Sequence, residues 1–428
     1  MIALVLLAGL ALQDLSVPEE IQRRIGHDIN DAARPEDLKS PRLPPGIALD
    51  RPLAAEDAVA IALWNSAAFH ADLANLGLAR ADLAEAGLLR NPNLSLLFPV
   101  GPKPFELLFT LPIEALWQRP RRVEAARAGL EVVSQGLVQH GLDLARDANL
   151  AWTDLALAQQ KSTLEAETAG LKERIAELTG RRLQAGDISE AEAGLAQADA
   201  VMARDASRRA ESEVLVARER LRLAIGLRGD RSNLMAAPLP EIPAPAPELD
   251  SLLESAFASR PDLRAAELAV QAAAKRARWE RSRVLALGVS LSTKEVGNYG
   301  VRSGPGMALD LPIFNRNQGA ISRADAEVER AAWLYLAARD RVELEVREAR
   351  TLHVQAFQSL ERLRRDVLPA VRRNADLAEN SYRNGDISYL TVLEAARPLA
   401  EMRLREAEAA AELCRSAVQL ERSIGRKP

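Results

Sequence analysis

The tetrapeptide Gly-Asp-Ile-Ser occurs twice in this chain, at Gly186–Ser189 and at Gly385–Ser388, 199 residues apart (385 against 186). The same offset relates Ile225-Gly226 to Ile424-Gly425, and an offset of 200 relates Leu111-Pro112-Ile113 to Leu311-Pro312-Ile313. Landmarks kept in one order at one spacing mark a tandem duplication, and a repeat of this size is a whole subdomain rather than a solenoid unit. Whatever the chain folds into is therefore built twice. The first repeat covers residues 54–227 and the second 248–425, and the proline-rich stretch 228–247 links them.

Each repeat changes period in the same places. In the first, a helical pattern runs from Ala54 to about Leu89 and stops at Asn91-Pro92. Strand alternation follows: Leu94, Leu96 and Phe98 share one face, and Phe105, Leu107, Phe109, Leu111 and Ile113 share another. With Gly101-Pro102-Lys103-Pro104 between them as turn chemistry, residues 93–113 read as a hairpin. A long helix then runs from about Pro120 to Gly186, roughly 100 Å at 1.5 Å per residue, with five glycines as points where it can bend. A second helix returns from about Ser189 to Leu227, antiparallel because the turn is short. The second repeat has a helix over 248–284 interrupted at Arg260-Pro261, and a hairpin at 285–314. In that hairpin Leu287, Val289 and Leu291 alternate with Gly288, Ser290 and Ser292. A helix from about Gln318 to Asn384, kinked at Pro369, and a last helix containing Pro398 complete it.

Composition narrows the function classes. Hydrophobic residues make up 48% of the chain but aromatics only 4%, which suits long helices and coiled coils more than an aromatic core. A net charge of −4 carries no nucleic-acid footprint. The single cysteine, Cys414, excludes internal disulfides and cysteine metal clusters. The four histidines (His27, His70, His140, His353) show no ligand spacing, and no phosphate cradle or nucleophile motif is present, so neither an enzyme nor a cofactor is expected. Residues 1–12 contain a short apolar run that reads as a signal peptide, too short to span a bilayer as a helix. Residues 13–53 read as an extended lead-in.

A sheet with an apolar face needs lipid or another layer to cover it. Four strands are too few to close a barrel, whereas three copies supply twelve, an even number with no free edge. The expected fold is therefore mainly α with a small β part: long antiparallel helices forming a tube, and four strands per chain entering a twelve-stranded trimeric outer-membrane barrel. A soluble periplasmic coiled-coil scaffold remains the rival, with the alternating strands and the apolar N-terminus left unexplained.

The residues also resemble a known family. Arg260-Pro261-Asp262-Leu263-Arg264-Ala265-Ala266-Glu267, Leu311-Pro312-Ile313-Phe314, Leu368-Pro369-Ala370, and Tyr382 with Gly385 and Leu390–Arg397 occur in the order seen in TolC-like outer membrane efflux proteins. The likeness runs from about Ala54 to Gly425, and the turn Asn315-Arg316-Asn317-Gln318-Gly319 is similar to the CzcC-like heavy-metal branch. The resemblance implies a passive exit duct in the outer membrane, with a large periplasmic part. Its partners would be a periplasmic membrane-fusion adaptor and an inner-membrane efflux pump; a duct for protein secretion stays open. It also implies that the tips Gly186-Asp187 and Gly385-Asp386 dock the adaptor. Glu192 and Glu394 would form acidic constrictions at the periplasmic gate, and Tyr382 would help to latch it. At Thr391 the chain departs from a double acidic ring. The same residues also have a purely local reading, in which glycine ends one helix, Asp or Ser caps the next, and the two glutamates are solvated helix charges.

Overall fold

A computed structural model describes residues 41–98, 105–241, 246–295 and 300–427. The apolar run at 1–12, most of the lead-in and the Gly101–Pro104 turn lie outside these residues. The elements follow the order α1 (Ala55–Asn65), α2 (Ala67–Gly87), β1 (Asn93–Leu97), β2 (Glu106–Pro112), α3 (Ala115–Gln184) and α4 (Glu190–Ala224) in the first repeat. In the second they are α5 (Leu249–Ser259), α6 (Pro261–Ser282), β3 (Ala286–Glu295), β4 (Val301–Asp310), α7 (Gln318–Arg362), α8 (Leu368–Arg383) and α9 (Tyr389–Ser423).

Local sequence sets most helix limits, but not all. The first helical stretch is divided at Ser66 although no proline or glycine stands there. Asn65 causes the break: its side-chain amide donates to the Arg42 and Ile61 carbonyls (2.8 and 2.9 Å) and its oxygen accepts from the Arg42 amide (2.8 Å). Ser66 then caps α2 by accepting from Phe69 N. Conversely, α3 begins at Ala115, ahead of Pro120, which in the second turn deprives only the Leu116 carbonyl of a donor. Its glycines do not interrupt it. Ahead of Pro369, Leu363–Val367 form a π turn, with Leu368 N donating to the Leu363 carbonyl. A proline ring needs room at the preceding turn, and a wider turn provides it.

The chain divides into two compact units. One contains the described residues up to His70, His140–Arg260 and from Glu343 onward. Its core packs Leu53, Ile61, Phe69, Leu142, Leu155, Leu221, Ile225 and Leu227, all essentially inaccessible. The described part of the linker up to residue 241 is anchored in this unit at Ala236. Leu53 forms a parallel bridge with Ala236, Trp152 Nε1 donates to the Leu53 carbonyl (2.8 Å), and Gln159 accepts from Ala236 N (2.8 Å). Here too a charged network replaces apolar contact. Arg260, 1% exposed at its side chain, donates to Glu345 (2.6 Å) and the Ser423 carbonyl (3.1 Å), while Arg422 bridges Glu345 and Asp143.

The second unit contains Ala71–Gln139 and Pro261–Val342, and it carries the sheet. The four strands pair antiparallel in the order β1-β2-β3-β4, so the two repeats join through β2 and β3. The Asn315–Gly319 turn is held by Asn317, in the left-handed region (φ 59°), whose side-chain amide donates to the carbonyl and carboxylate of Glu280.

Candidate functional site: the strand sheet and the paired tips

Register assigns the two faces of the sheet. Leu94 stands opposite Phe109, which stands opposite Leu291, and Leu111–Val289–Met307 and Leu287–Leu309 continue the same face. Apart from Thr293, Ser303 and Glu295 near the loop end this face is apolar on all four strands, and its side chains are open: Leu94 is 56% exposed and Met307 73%. The opposite face carries Ser95, Thr110, Ser290, Ser292, Gly304, Gly306 and Asp310, mostly small or polar, with Leu97 and Leu108 as its large apolar side chains. A Cβ at Gly306 would stand 2.6 Å from the Ser290 hydroxyl, which would have to rotate away. β1 and β4 are both edge strands. A sheet with one exposed apolar face, one polar face and two open edges is incomplete as a soluble structure. Among the described residues, no helix is long and apolar enough to cross a membrane.

The two tips share one construction. α3 ends on Gly186 (φ +82°) and α8 on Gly385 (φ +84°), each closed by paired bonds. Gly186 N and Asp187 N donate to the Leu183 and Arg182 carbonyls; Gly385 N and Asp386 N donate to those of Tyr382 and Ser381, at 2.9–3.0 Å. Only glycine takes this left-handed position without strain, which explains half of the repeated tetrapeptide. The serine explains the other half, because Ser189 and Ser388 cap α4 and α9. Gly186, Asp187, Gly385 and Asp386 are all exposed.

Beyond the caps the tips diverge. Glu192 completes a capping box: its carboxylate accepts from Ser189 N (2.9 Å) and the Ser189 hydroxyl (3.0 Å), which holds the group below the usual glutamate range. Glu192 thus serves its own helix end. Thr391 occupies the corresponding place in the second tip, with its hydroxyl 3.1 Å from that of Ser388. Glu394 is exposed one turn further on, and no hydrogen bond or ion pair joins it to Glu192. Pro398 has no N–H for the Glu394 carbonyl, so the helix is weakened at that residue. Tyr382 packs against Tyr389 (centroids 5.2 Å apart), stapling α8 to α9 across the turn. Arg397 pairs with Asp199 (3.3 Å), tying α9 to α4. Neither Tyr389 nor this ion pair was legible in the sequence, since both depend on which helices become neighbours. Among the described residues, no group of three or more His, Cys, Asp or Glu side chains is placed to hold a metal ion.

Comparison with known proteins agrees with this geometry. Residues 252–426 match the family model described as outer membrane efflux protein. The cobalt-zinc-cadmium resistance protein CzcC of Cupriavidus metallidurans is 26% identical over 385 residues, covering 88% of this chain and 90% of that protein. Among solved structures, the outer-membrane channel OprN has a TM-score of 0.70 at 20% identity, covering 87% of this chain and 89% of its own. CusC, described in connection with folding and transmembrane channel formation, has 0.70 at 18%, with 87% and 92% covered. The outer membrane protein VceC of Vibrio cholerae has 0.70 at 18%, with 87% and 96% covered. The family-model match over residues 252–426, a relative aligned over most of the chain and the shared fold make this chain similar to outer membrane efflux proteins.

Proposed function

We propose that three copies of the chain assemble into one continuous passive duct, the outer-membrane stage of a tripartite efflux system. The observation that carries this reading is the four-stranded sheet, apolar on one exposed face and polar on the other, with both edges open. Three such sheets joined edge to edge satisfy every strand edge, turn the apolar faces to lipid and line the lumen with serine, threonine and glycine. β3 and β4, ten residues each, have the length of a membrane-spanning strand, while β1 and β2 are shorter. The helices offer a matching surface. Leu195, Met202, Val216 and Leu223 recur along α4 at multiples of seven and are more than half or half exposed, a seam suited to a neighbouring helix.

In this reading the tips at Gly186-Asp187 and Gly385-Asp386 dock a periplasmic adaptor, and an inner-membrane pump loads the duct. Glu394, exposed and on a helix weakened by Pro398, is the gate carboxylate. Three copies brought together by symmetry would repel one another and attract cations. Glu192, occupied by its cap, plays the lesser part. Tyr382, against Tyr389, keeps the second tip closed. The CzcC likeness supports divalent heavy-metal cations as cargo.

The test is the native mass of protein extracted in detergent from separated membranes. Three times the 46.6 kDa chain mass, recovered from the outer-membrane fraction, is expected. A monomer or dimer that stays soluble without detergent would overturn the shared barrel and restore the scaffold reading.

A further inference from the structure

The duplication relates α4 to α9 residue by residue, because one offset of 199 holds from the tip glycines to the closing Ile-Gly. Val216 and Leu223 of α4 are thus the counterparts of Arg415 and Arg422 of α9. In α9 this face meets the long helix of the other repeat: Arg415 donates to Asp154 and Arg422 to Asp143, both on α3 and both at 2.7 Å. The matching face of α4 is apolar and open. Leu223 is 77% exposed, and Val216, Met202 and Leu195 continue the seam toward the tip. The counterpart of α3 is α7, where offsets of 200 before and 199 after place the equivalents of Asp143 and Asp154 at 342–343 and 353–354. Two exposed leucines, Leu344 and Leu352, stand within two residues of those positions. All of these residues belong to one compact unit.

We propose that copies of the chain join by seating the α4 seam of one on the Leu344–Leu352 face of α7 in the next, an apolar joint where the chain's internal joint is ionic. The inference rests on the assembly reading above and names its contact. A duplicated chain makes the α9–α3 contact within itself. Leu223 and Leu344 are both open, so it does not make the twin contact, α4 on α7, with itself. Made between copies, that contact joins two different faces, and such a heterologous contact closes a ring when its rotation allows. An adaptor helix could cover the α4 seam, but only a second copy covers the leucines of α7 as well. The change of chemistry has a consequence. Salt screens arginine–carboxylate pairs, whereas burial of leucine, valine and methionine carries no charge to screen. High salt therefore loosens the joint inside each chain and leaves the joint between chains intact.

The test is cross-linking of the full chain in detergent, with Leu223→Cys and Leu344→Cys in one polypeptide and Cys414→Ala removing the native thiol. Both leucines are exposed, so neither replacement opens a cavity. A short bismaleimide, whose reach tolerates a one-turn error in register, should give covalent species of two and three times the 46.6 kDa chain mass on a denaturing gel. Neither single variant should do so. The yield should hold when salt is raised to about 1 M, where screening is nearly complete. Native mass is read on the same samples. A trimeric mass without covalent dimers or trimers would overturn the joint and leave the shared barrel standing. A link formed inside one chain, which alters mobility but not mass, would do the same. A yield that falls severalfold with salt would overturn the apolar character of the joint. A monomeric mass for every form, the unaltered chain included, would overturn the assembly reading, and the joint with it.

Discussion

Gly226 closes the first repeat in a left-handed turn (φ +73°), with Gly226 N and Leu227 N donating to the Leu223 and Arg222 carbonyls. A Cβ at this position would lie 2.7 Å from the Asn65 carbonyl oxygen and 2.8 Å from its carbon and Cβ. Those atoms cannot move cheaply, since Asn65 is bound to Arg42 and Ile61 and forms the break between α1 and α2. Gly186 has almost the same φ but nothing within 4 Å. Gly186→Ala therefore incurs only the left-handed penalty, about 1–2 kcal/mol. Gly226→Ala adds the displacement of a packed backbone, about 1–3 kcal/mol more. At roughly 2–4 °C per kcal/mol for a domain of this size, Gly226→Ala should melt several degrees below Gly186→Ala. Circular dichroism in detergent gives the melting points, and amide exchange of the 55–70 peptide locates the damage at the Asn65 break. Equal melting of the two variants, with exchange unchanged at 55–70, would refute the packing argument.

Three further outcomes follow from the same structure. Arg260→Ala removes the buried guanidinium and its bonds to Glu345 and the Ser423 carbonyl but leaves Glu345 paired with Arg422; a loss of about 1.5–3 kcal/mol is expected in urea unfolding. Glu192→Ala should speed amide exchange at the start of α4, whereas Glu394→Ala should leave α9 unchanged there. Because the Glu192 carboxyl is held low by Ser189, its contribution is present above the ordinary glutamate range and is lost as pH falls through its depressed value; acid should therefore reproduce the Glu192→Ala pattern. Burial pushes the Cys414 thiol up to about 11, so it should resist iodoacetamide at pH 8 until the protein is denatured, as read by mass spectrometry.

Much of the candidate site could be read from the chain because its chemistry is local. A helix that must reverse over a few residues needs glycine at the left-handed position and a hydroxyl at the next cap, so Gly186, Ser189, Gly385 and Ser388 declared both tips. Alternation at period two declared an apolar strand face at Val289, Leu291, Met307 and Leu309. The division of labour between Glu192 and Glu394 was less legible. Both are helix glutamates near a tip, and only the capping geometry distinguishes the one bound to Ser189 from the one left open.

What the sequence by itself determined was the duplication, the element order, the turn chemistry and which face of each strand is apolar. Each follows from the backbone preferences and hydropathy of neighbours within a few residues. Tertiary structure decided the rest: the break at Asn65, the anchoring of the linker at Ala236 on Leu53 and Gln159, and the pairing of β2 with β3. It also brought Arg415 to Asp154 and Arg422 to Asp143. Those features join positions tens to hundreds of residues apart. No local preference encodes them, because the free energy that selects them exists only once the helices and strands are side by side.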